Sequence, residues 1–393
     1  MTQIVATTGN GAAAYAMKQI NPDVCAAYPI TPSTQVMEDF SEFVHDGIVN
    51  TNLVTVESEH SAMSACIGAS AAGGRVMNAT SANGLALMWE MLYIASGMRL
   101  PIILTVVNRA LSAPINIHCD HSDAMGARDS GWIQLYSETA QEAYDNLIQA
   151  VRIAEHPDVL LPVMVNFDGF ITSHSIDRVD YLEDEDVRKF IGEYKPKLPL
   201  LDVDNPISMG LLALQDYYIE FKKQQQDAMA RAKEIIKQVA GDYKKQFNRD
   251  YSLYEKYNFD ESDMAIIALN SSAGTIKYMI DSYKAKGINL GLLKLRVFRP
   301  FPTEELVEEL KSKKVICVLD RSDSFGAQSG PLLAEIRSAM YNLDKRPFVY
   351  GKVYGLGGRD LEENHIDSVY GEMDAYVKTG KVPPVCEYIT HRD

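Results

Sequence analysis

The sequence predicts an α/β protein made of two units, each built around a largely parallel sheet. Three observations carry this expectation. Over the first 170 residues, short and nearly continuous apolar runs alternate with helix-length stretches, and the same alternation returns from about residue 263. Strands that are apolar throughout belong to parallel sheets covered on both faces. Between the two stretches the chain turns polar, and 393 residues are enough for more than one core.

In the first unit the expected strands are 4–7, 24–27, 53–56, 75–79, 102–107 and 160–167. The expected helices are 12–20, 33–44, 62–72, 84–96 and 140–155. Residues 180–194 are then acidic, KPKLPLLDVDNP is punctuated by proline, and 217–247 is rich in Lys, Gln, Glu and Ala. This last stretch predicts a long, exposed helix linking the units, its charges forming a solvated face. The second unit offers strands at 264–269, 290–296, 315–319 and 348–353. Three of its segments read as strand, turn and helix, and in RPFPTEELVEELKSK, Pro302 and Thr303 prepare the helix start. Gly274, Arg299 and Asp320 stand at turns or element ends there and are given structural duty.

Composition excludes several classes. With 38 Lys and Arg against 53 Asp and Glu, the formal charge is -15. A nucleic-acid binder would normally present a basic footprint, so none is expected. No 18-residue apolar run suggests a membrane span, and the first residues lack the basic and apolar regions of a signal. A cytoplasmic location is the default expectation. Cys25, Cys66, Cys119, Cys317 and Cys386 are scattered and form no CxxC, which argues against a disulfide framework and against an iron–sulfur cluster within this chain.

Four regions fall where a parallel α/β fold gathers its chemistry, beyond the carboxyl ends of strands. AYPITPST (27–34) places Thr31, Ser33 and Thr34 before a helix; it is either an N-cap after a proline turn or a site for an anion such as a carboxylate. In VESEHSA, Glu59 stands at a helix start, where it either caps the helix or faces a ligand. The segment 108–132 concentrates Arg109, His118, Asp120, His121, Asp123, Arg128 and Asp129 with little periodicity. Arg109, directly after an apolar strand, suits bidentate capture of a carboxylate. HCDHSD holds competent metal ligands, but its spacing matches no zinc arrangement, so loop support is preferred. Finally, NFDGFITSH carries Asp168 and His174 without a serine nucleophile elbow. GNGAAA and GLGGRD lack the full dinucleotide and Walker fingerprints, and SFGAQSG reads as a flexible turn.

Taken together, AYPITPS, ESEHSA, NRALSAP…DHSD, LLPVMVNFDGF, RVFRPFP, VLDRSDSFGAQSGPL and GLGGRD resemble, in order, the α subunit of the pyruvate:ferredoxin oxidoreductase family and its 2-oxoacid relatives. The resemblance runs from about residue 5 to 375 and is weakest over 175–260. It implies a thiamine-diphosphate-binding pyrimidine-type domain with its helical linker over 1–240. A transketolase C-terminal-like α/β domain is implied over 255–390. It implies CoA-dependent oxidative decarboxylation of pyruvate to acetyl-CoA and CO₂ with electrons passed to ferredoxin or flavodoxin, or the reverse. Thiamine diphosphate and Mg²⁺ would be held mainly by a β subunit, [4Fe–4S] clusters would sit in β and in a small ferredoxin-like δ subunit, and a γ subunit would be a further partner. Carried over by position, Glu59 matches the glutamate that hydrogen-bonds N1′ of the cofactor's aminopyrimidine. Thr31 and Arg109 match the substrate-binding threonine and arginine, while Tyr28 and Pro29 shape the pocket. No metal ligand is assigned to this chain.

Alternatives remain at this stage. The same reaction could act on 2-oxoglutarate or a branched-chain 2-oxoacid; an oxalate-specific relative would carry arginine in place of Thr31. A noncatalytic scaffold is the reading from a different class, and retention of Glu59 and Arg109 disfavours it.

Overall fold

The computed structural model describes residues 3–392. The chain opens with β1 (Gln3–Thr7), α1 (Gly9–Ile20), β2 (Val24–Ala27), α2 (Thr34–His45), β3 (Asn52–Thr55) and α3 (Glu59–Ala71). It continues through β4 (Val76–Thr80), α4 (Ala82–Leu87), α5 (Trp89–Gly97), β5 (Ile103–Asn108), α6 (Ser122–Gly126), β6 (Ile133–Ser137), α7 (Ala140–Ala154) and β7 (Val163–Asp168). After α8 (Ile171–His174), β8 (Asp177–Tyr181) and α9 (Asp184–Ile191) comes the long α10 (Tyr218–Phe247). The second half holds β9 (Tyr254–Tyr257), β10 (Met264–Ala268), α11 (Ser272–Lys284), β11 (Gly291–Leu295), β12 (Val297–Arg299) and α12 (Thr303–Leu310). It ends with β13 (Val315–Asp320), α13 (Pro331–Met340), β14 (Phe348–Val353), α14 (Glu363–Thr379) and β15 (Cys386–Tyr388).

The first sheet has the order β12-β6-β7-β5-β4-β2-β3 and is parallel except for β12, which runs against β6. Its central strands are apolar because both faces are covered. On one face Ile103, Val163 and Val165 pack with Ala13, Met17, Leu147 and Val151 of α1 and α7. On the other, Leu104 and Val106 pack with Met63, Cys66 and Leu92 of α3 and α5. The second sheet has the order β15-β14-β13-β10-β11-β9, parallel except for β9. The fold is therefore α/β, two successive units each built on a largely parallel sheet.

Several elements differ from the sequence expectation. The opening strand lies outside the parallel sheet: β1 pairs antiparallel with β8. The helix expected over 84–96 is broken at Met88 (φ -88°, ψ 14°) into α4 and α5. The strand expected from 160 begins at Val163, because Leu160 has a positive φ of 45°. The apolar run at 290–296 becomes β11 in the second sheet, and the chain then crosses to the first as β12. The linking helix forms, but it is not a free spacer. Ala228, Ala232, Ile236, Val239 and Tyr243 are buried, all five in the core that holds the buried residues of α7. The i, i+4 spacing puts these on one stripe, and α10 straps the first unit.

Candidate active site

The carboxyl ends of both sheets face each other, and the chemistry-bearing side chains collect between them. Glu59 enters as the first residue of α3. Ser58, extended at φ -162° and ψ 162°, is the N-cap, its Oγ accepting from Ser61 N–H at 3.2 Å. The capping alternative for Glu59 therefore falls. Glu59 is only 6% exposed, yet among the described residues none donates a hydrogen bond to its carboxylate. Thr80 Oγ1 and Ser81 Oγ nearby are likewise buried without a partner. Gly84 lets the carboxylate sit against α4: a Cβ there would lie 2.7 Å from Glu59 Oε1 and 2.5 Å from Thr80 Oγ1. A nearly buried carboxylate with no donor from its own chain is free to accept from a ligand.

Arg109 follows β5 and is 7% exposed. Its Nη1 donates to the Thr31 carbonyl and its Nε to the Asn116 carbonyl, both at 2.8 Å. The structure thus brings Arg109 to the 27–33 turn, whose exposed Thr31 is followed by Ser33 donating to Ile30 O. Tyr28, half-buried, and Pro29, exposed, lie on the same turn.

Asp123 joins the Glu59 side to the Arg109 side. Its Oδ2 accepts from the backbone N–H of Ala82, at the start of α4, and of Arg109, both at 3.0 Å. Its Oδ1 accepts from Asn108 Nδ2 at 3.0 Å and Ala124 N–H at 2.7 Å. Burial nevertheless outweighs these donors and pushes the carboxyl up to about 6.

Asp168 makes no hydrogen bond to Glu59, Arg109 or Asp123 and has partners of its own. It is fully buried at the end of β7, and its Oδ1 accepts from His121 Nε2 at 2.8 Å, Asn270 Nδ2 at 3.0 Å and Cys119 Sγ at 3.2 Å. Its Oδ2 accepts from Arg321 Nη1 at 2.9 Å and from Ser271. Ligand atoms of Cys119, His121 and Asp168 all lie within 4.8 Å of one another. The Arg321 guanidinium already supplies the positive charge there, so the cluster works as an ion-pair centre. His118 and His174 flank the Phe170 ring, with centroids at 4.9 and 4.7 Å. Arg299 donates to Glu335 at 2.5 Å and Asp320 caps α13, which fits the structural duty expected of both.

Sequence reasoning passed over Gly84, Asn116, Asn270 and Arg321. Only Gly84 left a trace, as a glycine close after a strand end. The others act on partners far along the chain, which leaves no local pattern.

The family described as "Pyruvate flavodoxin/ferredoxin oxidoreductase, thiamine diP-bdg" matches residues 15–241, and "Pyruvate:ferredoxin oxidoreductase core domain II" matches 262–366. "Pyruvate synthase subunit PorA" of Thermotoga maritima is 55% identical over 376 residues, covering 94% of this chain and 96% of its own. "Ketoisovalerate oxidoreductase subunit VorA" of Pyrococcus abyssi is 43% identical, covering 97% of this chain and 96% of its own. A solved 2-oxoglutarate:ferredoxin oxidoreductase from Magnetococcus marinus, with 2-oxoglutarate, coenzyme A and succinyl-CoA bound, has the same fold at a TM-score of 0.74 and 21% identity. That superposition covers 94% of this chain but 65% of the other. The chain belongs to the 2-oxoacid:ferredoxin oxidoreductase family as an α subunit, a thiamine-diphosphate pyrimidine-type region followed by a transketolase C-terminal-like region, and is one part of a multisubunit thiamine-diphosphate-dependent enzyme.

Proposed function

We propose that this chain supplies the aminopyrimidine contact and the oxoacid pocket of a pyruvate:ferredoxin oxidoreductase. One observation carries the reading: a buried, internally unpartnered Glu59 in a glycine cradle, tied through Asp123 to the backbone of Arg109. These residues fit thiamine diphosphate, which when bound supplies the electron sink for decarboxylation. Glu59 would hold the aminopyrimidine ring at N1′ through a hydrogen bond kept out of water. Arg109 offers five N–H donors, of which two are engaged by Thr31 and Asn116 carbonyls. The remaining fork takes the oxoacid carboxylate, with the Thr31 hydroxyl beside it and Tyr28 and Pro29 shaping the turn. A cation held in place favours decarboxylation only to the extent that it stabilises the transition state more than the bound acid.

Pyruvate is the proposed substrate. Thr31 is retained in AYPITPST, and the 55%-identical relative is named for pyruvate. The branched-chain and 2-oxoglutarate readings remain as alternatives, the former favoured by the 43%-identical relative. The acyl group would pass to coenzyme A and the electrons to ferredoxin or flavodoxin, through [4Fe–4S] clusters in the β and ferredoxin-like δ subunits, with a γ subunit as a further partner. The β subunit would hold Mg²⁺ and the diphosphate. It has a face to cover: Leu87, Trp89, Tyr93 and Ile94 are exposed on α4 and α5, continuous with the Glu59 cradle through the His60–Glu90 contact at 2.9 Å. We place the two functional units at 1–240 and 255–390, with β12 crossing between them. A cytoplasmic setting is part of the proposal; among the described residues no helix is long and apolar enough to cross a membrane.

The test uses the native complex containing this chain, purified without oxygen and given thiamine diphosphate, Mg²⁺ and CoA. Strong CoA-dependent reduction of ferredoxin or a viologen by pyruvate supports the reading. Preference for 2-oxoisovalerate or 2-oxoglutarate overturns the substrate, and no reduction from an intact, cluster-loaded complex favours the scaffold. Glu59→Gln should lower kcat at least about 100-fold.

A further inference from the structure

We infer that the glycine turn Gly355–Gly358 of the second unit, acting through Asn116, positions Arg109 for the oxoacid. The inference rests on the reading of Arg109 as the carboxylate-binding residue, and it identifies what holds that residue in place. Arg109 is anchored on one side by Thr31 O and on the other by Asn116 O. Asn116 itself lies in an irregular loop between β5 and α6, where no ladder fixes it. It is fixed from the other unit: Asn116 Nδ2 donates to Gly357 O at 3.0 Å, across 241 positions of sequence. Its Oδ1 accepts from His118 N–H at 2.7 Å, which folds the loop back on itself. Gly357 N–H completes the clasp by donating to Asp120 Oδ2 at 3.2 Å.

The turn is glycine-built for two separate reasons. Gly355, Gly357 and Gly358 have φ of 64°, 62° and 85°, in the left-handed region that side chains rarely adopt. Space is the second reason. A Cβ on Gly357 would overlap Asn116 Nδ2, and one on Gly358 would overlap His118 Cβ. The motif GLGGRD, which fits no nucleotide fingerprint, thus has a specific use: it lets backbone from one unit touch the loop that holds the arginine of the other. Asn116 and the turn are positioning residues, since neither is placed against the substrate.

Two variants in the assembled holoenzyme test this. Asn116→Ala keeps the carbonyl that Arg109 uses but removes the amide that clasps Gly357; Gly358→Ala pushes the loop from the other side. Each should raise KM for the 2-oxoacid about tenfold, the scale of one hydrogen bond to a charged group, while KM for CoA and the affinity for thiamine diphosphate hold. In an Arg109→Lys background, Asn116→Ala should add little further loss, because the group it positions is gone. If Arg109→Lys raises the oxoacid KM but Asn116→Ala and Gly358→Ala do not, the clasp has no positioning role and the inference fails while the site reading stands. If Arg109→Lys itself leaves that KM unchanged, the site reading fails and takes the inference with it. Losses that simply add in the double variant, or fall equally on all three ligands, mark a general structural contact and overturn the inference.

Discussion

Arg321 and Asp168 meet across the two units as a buried ion pair, Nη1 to Oδ2 at 2.9 Å, with 3% and 0% of their side chains exposed. Asp168 ends β7 of the first sheet and Arg321 follows β13 of the second, so the pair pins the facing strand ends together. The site lies beside this seam.

Removing one partner should therefore be far worse than removing both. Burial alone would raise the Asp168 carboxyl, but Arg321, His121 and Ser271 outweigh it and hold the group well below the usual carboxylate range. Asp168→Ala strands the Arg321 charge and should cost about 3–5 kcal/mol in denaturant unfolding. Asp168→Leu with Arg321→Met should recover much of that loss. A folded-state value below the unfolded one means that this stability is intact above about pH 4 and is lost only as the pH falls further. A single variant as stable as the parent would show that the pair is open to water.

Gly84→Ala should weaken thiamine-diphosphate binding rather than unfold the chain. The added Cβ would press on Glu59 Oε1 and Thr80 Oγ1, and overpacking of this kind costs about 1–3 kcal/mol. The activity of the assembled complex, titrated with cofactor, should show an apparent affinity about tenfold lower. Unchanged affinity would mean that the Glu59 carboxylate has room to move away.

Lys294 sits in a cage of carboxylates, 2.7 Å from Glu138, 2.5 Å from Glu142 and 2.6 Å from Glu255, joining α7 to β9 and β11. The three acids alone meet the geometry of a cation site, and the ammonium occupies it. Lys294→Ala should leave the three acids facing Lys277 alone, which lies 2.8 Å from Glu138 and 2.9 Å from Glu255, and should lower the thermal midpoint at pH 7. Millimolar Ca²⁺ should restore part of the loss at pH 7 in the variant and have little effect on the parent. No rescue by the cation would show that the cage relaxes into solvent.

How far the sequence showed the fold depends on where each side chain's partner lies. The run at 315–319 is apolar throughout and that at 102–107 apolar except for Thr105, and both form buried central strands, β13 and β5. The strand β6 went unseen because IQLYS interposes polar residues. Their partners are tertiary: Gln134 Nε2 donates to Ala124 O at 2.8 Å, and Ser137 Oγ accepts from Asn146 Nδ2 at 2.9 Å. The site divides similarly. Thr31, Glu59 and Arg109 could be singled out because each stands just after an apolar run, while their roles came from the resemblance alone. Asn116 and Arg321 could not, since a clasp across 241 positions and an ion pair across 153 leave no periodicity to read.

Asp320 gives the seam a pH dependence of opposite sign to Asp168. Its two oxygens accept from Leu332 and Leu333 N–H at 2.8 and 3.0 Å, capping the start of α13. Burial outweighs those bonds and raises the carboxyl to about 7. The folded chain then holds a proton that the unfolded chain, at about 3.9, releases earlier. Stability from this group is full below about pH 4 and falls as the pH rises through about 7, by at most about 4 kcal/mol. Asp320→Asn keeps one acceptor for the helix but cannot titrate. Unfolding midpoints measured from pH 5 to pH 8 should fall more steeply in the parent than in this variant, so that the gap between them narrows on the alkaline side. Parallel curves would mean that Asp320 stays charged across the range, with the helix N-terminus rather than burial deciding its state.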